Sequence, residues 1–203
     1  MPDELSATCA RESSRLSVAV LCSSDPGSPS VVSVARDVGR LLGEGTHSLV
    51  YGGSSAGLMG EVARTAHARG SQLFGAIPLS LFERERHIRG LSQVVRITTT
   101  ICQRKDAMFA MADAFIALPG GLDTVDEVLD VITLSRLRLN HKPLALIQTC
   151  GEWQPLLDML ERIAGYRFDV PPASTLLKVV SSADEALDFI KRVPSPAEAR
   201  VSG

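Results

Sequence analysis

The chain has 203 residues, 45% of them hydrophobic, and its 21 Lys and Arg nearly balance 23 Asp and Glu, for a formal net charge of -2. That length buries one substantial core, while so even a charge balance gives no polyanion-binding surface and no basic membrane-facing side; neither nucleic acid nor membrane is an expected partner. Asp3, Glu4, Arg11 and Glu12 precede any apolar run, the wrong order for a secretory signal, and no apolar stretch reaches the ~18–20 residues of a membrane span, so a cytoplasmic protein is expected.

The elements alternate along the chain. Val18 to Leu21 read as a buried strand that ends at Ser23, Ser24, Asp25, Pro26 and Gly27, and Ser30 to Leu42 has helical apolar spacing. Ser48 to Tyr51 is a second strand closed by Gly52 and Gly53, followed by a helix over Leu58 to Ala68. A third strand spans Gln72 to Ile77, stopped by Pro78, and the charged stretch Leu79 to Leu91 reads as a loop or short helix over the site. Val94 to Thr98 is a strand and Arg104 to Ala112 a helix. Ala114 to Leu118 is a compact strand, then Pro119, Gly120 and Gly121 lead into a helix from about Val125 to Leu137. Pro143 to Ile147, Trp153 to Ile163, Leu177 to Val180 and Ala183 to Lys191 continue the alternation. The pattern predicts an α/β, Rossmann-like, doubly wound and mostly parallel sheet with helices on both faces. It forms a single domain over residues 15–192 between frayed tails at 1–14 and 193–203.

Cys9, Cys22, Cys102 and Cys150, and likewise His47, His67, His87 and His141, lack metal-ligand spacing, so no metal site is expected. In an open parallel sheet the ligand site lies at the carboxyl ends of the strands. Three Gly- or Ser-bearing loops fall there: Cys22 to Ser28, Gly52 to Gly57, and Pro119 to Thr124. Ser24 and Gly53, on the first two, are candidate substrate contacts. Gly120, Gly121 and the amides leading to Thr124 have the form of a phosphate cradle at a helix N-terminus, although glycines in any one loop also serve simple tight turns. Neither GxxxxGK[ST] nor GxGxxG after the first strand is present, which disfavours ordinary P-loop or NAD chemistry. Thr124 and Glu127 match the S/T-x-x-E capping box, and a first-turn glutamate beside such a loop is also placed to face a reacting sugar. Arg104 and Lys105 open a helix, the end where the dipole disfavours cations, so either an anion lies nearby or they are solvated surface charges.

At these residues the chain resembles the LONELY GUY (LOG) family of cytokinin riboside 5'-monophosphate phosphoribohydrolases, whose members have carried the label lysine decarboxylase. The family's PGGxGTxxE stands here as PGGLDTVDE, Pro119 to Glu127. YGGSSAGLMGEVA from Tyr51, AIP from Ala76, QRKDAM from Gln103, DAFIALPGG from Asp113 and HKP from His141 extend the likeness over roughly Ser17 to Ile147. The resemblance implies a Rossmann-like homodimer with its site near the subunit interface. It also implies hydrolysis of the ribose–base bond of a nucleoside 5'-monophosphate, giving a purine base and ribose 5-phosphate, with no cofactor. Arg104 and Glu127 fall on the catalytic arginine and glutamate. Glu85, Arg104, Lys105, the loop Gly120, Gly121, Leu122, Asp123, Thr124 and Asp126, and Thr133 fall on substrate-contacting positions.

The chain departs from the family at several places. Asp123 replaces the glycine of GxGT, and a carboxylate about 5 Å from a phosphate, at an effective dielectric near 20, costs roughly 3 kcal/mol. Asp123 therefore points away, binds a sugar hydroxyl, or alters phosphate binding. Cys102 stands for a frequent histidine, Ser23 and Ser54 for glycines, and Leu134 and Arg136 for Trp and Gln. The alternatives are a different purine nucleotide such as GMP or AMP in specialised metabolism, and a non-catalytic nucleotide or molybdenum-cofactor carrier on the same fold. Retention of Arg104 and Glu127 argues against the carrier.

Overall fold

The structure is a computed structural model and describes residues 15–82, 91–166 and 171–193. Short runs of branched and small apolar residues form seven strands: β1 (Ser17–Leu21), β2 (Ser48–Tyr51), β3 (Leu73–Pro78), β4 (Gln93–Thr98), β5 (Ala114–Ala117), β6 (Leu144–Ile147) and β7 (Lys178–Val180). Alternating with them are α1 (Pro29–Glu44), α2 (Gly57–Ala68), α3 (Leu79–Phe82), α4 (Ile101–Met111), α5 (Leu122–Arg136), α6 (Gln154–Gly165) and α7 (Ala183–Arg192). One sheet runs through all the strands in the order β4-β3-β2-β1-β5-β6-β7, and each pairing is parallel.

Helices cover both faces, which is why β2, β5 and β6 are buried at every position and carry no polar alternation. The two-residue period of β1 divides the core. Val18, Val20 and Cys22 pack with α1, α2 and α7, whereas Ala19 and Leu21 pack with α4, α5 and α6. The strand order reverses between β1 and β5, leaving a crevice beyond their carboxyl ends. The loops after Leu21 and Ala117 open onto it, and Leu118 N–H donates to Leu21 O at 3.0 Å, tying the two together.

Two helices begin three residues earlier than their apolar spacing predicts. α4 starts at Ile101 because Thr100 caps it: Thr100 Oγ1 accepts the Gln103 N–H at 3.1 Å, and Gln103 Oε1 accepts the Thr99 N–H at 2.9 Å. Arg104 and Lys105 therefore sit one turn inside the helix rather than opening it. α5 starts at Leu122, with Gly121 as its extended N-cap (φ -81°, ψ -166°). That overturns the capping box read at Thr124 and Glu127. Thr124 closes the first turn, Glu127 lies in the second, and no side chain caps the helix. Of the stretch Leu79 to Leu91, Leu79–Phe82 is a short helix; residues 83–90, Glu85 among them, lie outside the described residues. No described helix is long and apolar enough to cross a membrane.

Candidate active site

The site is organised by Arg104, whose side chain is 5% exposed. Its guanidinium lies against Gly52 at the end of β2, so close that a Cβ there would overlap Nη2. The glycine that closes β2 thus makes room for an arginine from a different helix. Arg104 Nη2 reaches 3.2 Å from Oε1 of Glu127, itself 3% exposed. Of the two sequence readings, an anion nearby or solvated surface charges, the first holds for Arg104, and the anion is a carboxylate of the protein itself.

This pair is close but not fully satisfied. Arg104 Nε and Glu127 Oε1 are both buried without a hydrogen-bond partner among the described residues. A carboxylate out of water holds its proton more tightly. Burial, reinforced by Asp123 and Asp126 and opposed by Arg104 and Lys105, pushes the Glu127 carboxyl up to about 7. Glu127 thus sits between its acid and base forms near neutral pH, where proton transfer to and from a reacting group is most effective. Buried Cys22 lies within the same electrostatic neighbourhood, its thiol pushed up by burial and then by Glu127. It is an inert packing residue.

Beside the pair lies the N-terminus of α5. Gly120 and Gly121 are exposed, and Thr124 is fully buried with Oγ1 turned toward Gly120, where a Cβ would overlap it, and without a hydrogen-bond partner among the described residues. An uncapped first turn and a buried unpaired hydroxyl together form a receptor for an anion. The other two loops are arranged differently. The first amides of α2 are taken up by the loop after β1: Leu58 N–H donates to Asp25 O at 3.1 Å and Met59 N–H to Ser23 O at 3.2 Å. Ser23 and Ser54, both buried, accept the Asp25 and Ala56 amides through their hydroxyls and so hold these loops in shape. Ser24 is half-buried, with its carbonyl packed where a side chain at Gly57 (φ +51°) would be, and Gly53 is buried against Ile77 with φ +79°.

The remaining predicted residues divide into those at the pair and those beyond it. Lys105, beside Arg104, is clasped by two carboxylates of α5, Asp126 at 2.7 Å and Asp130 at 2.5 Å. Asp123 lies on the second residue of α5, exposed, near enough to Glu127 to raise its proton affinity. Leu122 is 89% exposed and points to solvent. Thr133 is exposed on the side of α5 that carries Asp126 and Asp130, six residues beyond Glu127 and so about 9 Å along the helix. Sequence reasoning missed Gly52 as the seat of Arg104. Its signal was a glycine doublet at the end of a strand, which reads equally well as a turn.

A family model described as possible lysine decarboxylase matches residues 59–190. Among curated proteins, a probable cytokinin riboside 5'-monophosphate phosphoribohydrolase of Oryza sativa subsp. japonica is 38% identical over 184 residues, covering 90% of this chain and 74% of that protein. A cytokinin riboside 5'-monophosphate phosphoribohydrolase of Arabidopsis thaliana is 36% identical over 177 residues, covering 87% and 80%. Among solved structures, the molybdenum cofactor binding protein of Rippkaea orientalis superposes with a TM-score of 0.66 at 18% identity, over 87% of this chain and 96% of that one. The molybdenum cofactor carrier protein of Chlamydomonas reinhardtii gives 0.66 at 16% identity, over 88% and 98%. At such identities these two structures share the Rossmann-like fold alone. The family match and the identities to the plant enzymes show that this chain belongs to the LONELY GUY family of phosphoribohydrolases.

Proposed function

We propose that the chain hydrolyses the ribose–base bond of a purine nucleoside 5'-monophosphate, with cytokinin-type, N6-substituted adenine nucleotides as first candidates. The observation that carries this reading is the buried carboxylate of Glu127, ion-paired with Arg104 through an oxygen that accepts no hydrogen bond among the described residues, at the mouth of an uncapped helix. The choice of nucleotide follows the names of the plant relatives.

In the reaction the C1'–nitrogen bond breaks, its electron pair leaves on the base, and positive charge develops on the ribosyl ring. Ionised Glu127 stabilises that charge and takes a proton from the attacking water, whose oxygen bonds to C1'. The departing base takes up a proton from solvent and Glu127 then releases the one it gained, so the sum is addition of one water and the carboxylate is restored. Arg104 orients Glu127, and the 5'-phosphate on Gly120, Gly121 and the first-turn amides, with Thr124 Oγ1 donating, aligns the sugar. The protein acts without a cofactor.

A second reading within the same chemistry, another purine nucleotide such as GMP or AMP, is favoured by Cys102, Leu134 and Arg136, which depart from the family around the expected base pocket. A carrier without activity rests on the fold likeness alone, and the Arg104–Glu127 pair opposes it. We propose also a cytoplasmic homodimer with its site near the interface, since Leu122, Leu137 and Leu139 lie exposed on and just after α5.

The test is release of free base from a panel of purine nucleotides, with Glu127→Ala as control. Turnover lost in the variant with unchanged thermal unfolding supports catalysis. No release from isopentenyladenosine monophosphate, with turnover of another nucleotide, moves the substrate to the second reading. No release from any nucleotide leaves the carrier.

A further inference from the structure

Among the described residues, the surroundings of the anion receptor at the start of α5 are unexpectedly negative. Arg104 is matched by Glu127, and Lys105 by Asp126 and Asp130. Asp123 lies one residue before Thr124, and among the described residues it makes no hydrogen bond or ion pair. Its Oδ1 lies 3.1 Å from where a Cβ on Gly121 would stand, so the carboxylate rests over the receptor's own backbone rather than turning away from it. It is felt at the bottom of the site as well, where it raises the proton affinity of Glu127. Among the described residues, two cations, Arg104 and Lys105, thus face four carboxylates: Asp123, Asp126, Glu127 and Asp130.

A side-chain carboxylate on the first turn interacts favourably with the same dipole and amides that a bound phosphate uses. Asp123 therefore competes with any dianion seated there and repels it, while leaving an acceptor for an uncharged hydroxyl. We infer that Asp123 is a specificity-determining residue: it weakens recognition of a 5'-phosphate relative to a 5'-hydroxyl. The site thereby takes ribosides whose 5' group carries little charge far more readily than the phosphate receptor alone implies.

This inference rests on the proposed ribose–base hydrolysis, and its test separates the two. The probes are AMP, adenosine and ribose 5-phosphate, applied to the wild-type chain and to Asp123→Asn, which keeps size and hydrogen bonding but removes the charge. Asp123→Asn is expected to raise the ratio of kcat/KM for AMP to kcat/KM for adenosine at least tenfold, mainly through a lower KM for AMP. Calorimetry is expected to show ribose 5-phosphate binding tightened by at least tenfold. An unchanged AMP-to-adenosine ratio, with unchanged ribose 5-phosphate affinity, overturns the inference. If neither protein releases base, the hydrolysis reading fails, and ribose 5-phosphate affinity alone decides the role of Asp123. A melting curve of Asp123→Asn within two degrees of wild type confirms that charge, not folding, is being compared.

Discussion

Arg104 Nη2 lies 3.2 Å from Glu127 Oε1 with both side chains almost wholly out of water, yet Arg104 Nε and Glu127 Oε1 have no hydrogen-bond partner among the described residues. A buried ion pair with unsatisfied atoms is a weak source of stability, and buried polar atoms left unpaired cost about 1–3 kcal/mol each. The arrangement is readily explained as a site held open for a ligand that completes it.

Gly52 is the seat of that arginine. A Cβ at position 52 overlaps the guanidinium, which is the far end of a flexible side chain and can shift. Gly52→Ala is therefore expected to leave the fold intact while displacing Arg104 from Glu127, with kcat falling on the order of a hundredfold, the usual scale for a misplacement near 1 Å. Steady-state kinetics beside a thermal melt check it. A variant with wild-type kcat shows that the seat is unimportant.

Ionisation of Glu127 links activity to stability in opposite directions. Its carboxyl is raised from 4.5 to about 7 in the folded chain, so turnover is expected to rise with pH through about 7 as the working carboxylate forms. Folding favours the protonated form. That stabilising contribution is fully present below pH 4.5 and is lost as pH rises through about 7. Relative to Glu127→Gln, which does not titrate, the wild-type chain is expected to lose up to about 3 kcal/mol between pH 4.5 and 8. Denaturant titrations at several pH values measure this, and parallel stability profiles for the two proteins exclude it.

Thr124 carries a buried hydroxyl with no hydrogen-bond partner among the described residues. Thr124→Val removes that hydroxyl at nearly constant shape, so folding stability is expected to stay level or rise by about 1 kcal/mol. In the proposed binding mode the same change deletes a donor to the 5'-phosphate, and KM for the nucleotide is expected to rise about ten- to a hundredfold, the scale of a hydrogen bond to a charged group. A KM that does not move places the phosphate elsewhere.

The sheet was legible in the sequence because central strands of a parallel sheet read as short, wholly apolar runs. Ser48–Tyr51 was located to the residue, and Ala114–Leu118 to within one. Helix starts were less so. At α5 the S/T-x-x-E pattern of Thr124 and Glu127 competed with a bare glycine cap, and Gly121 took that place because an extended backbone suffices when no side chain is needed. At α4 the informative pair, Thr100 and Gln103, was overlooked in favour of apolar spacing. The candidate pair, Arg104 and Glu127, was named from its motif. Its burial, the Gly52 seat and the Lys105 clasp arise where α4 meets α5 and the end of β2, contacts that no local pattern encodes.

Lys105 shows what such contacts do. It is clasped by Asp126 and Asp130 and lowers the proton affinity of its neighbour Glu127. Lys105→Met is expected to cost about 1 kcal/mol of stability, the range of a partly exposed ion pair, and to move the rise of kcat to higher pH. Lys105→Arg is expected to restore most of both. A pH profile unchanged in Lys105→Met contradicts the electrostatic part of this account.

Glu127, beside Arg104, is proposed to carry out hydrolysis of a ribose–base bond. That role is tested most directly by quantifying free base and ribose 5-phosphate released from a purine nucleoside 5'-monophosphate by the wild-type chain and by Glu127→Gln at pH 8. Equimolar products are expected from the wild type, with at least a thousandfold slower release from an equally well-folded variant. Equal rates from the two proteins, or no release by the wild type from any purine nucleotide, would contradict that role.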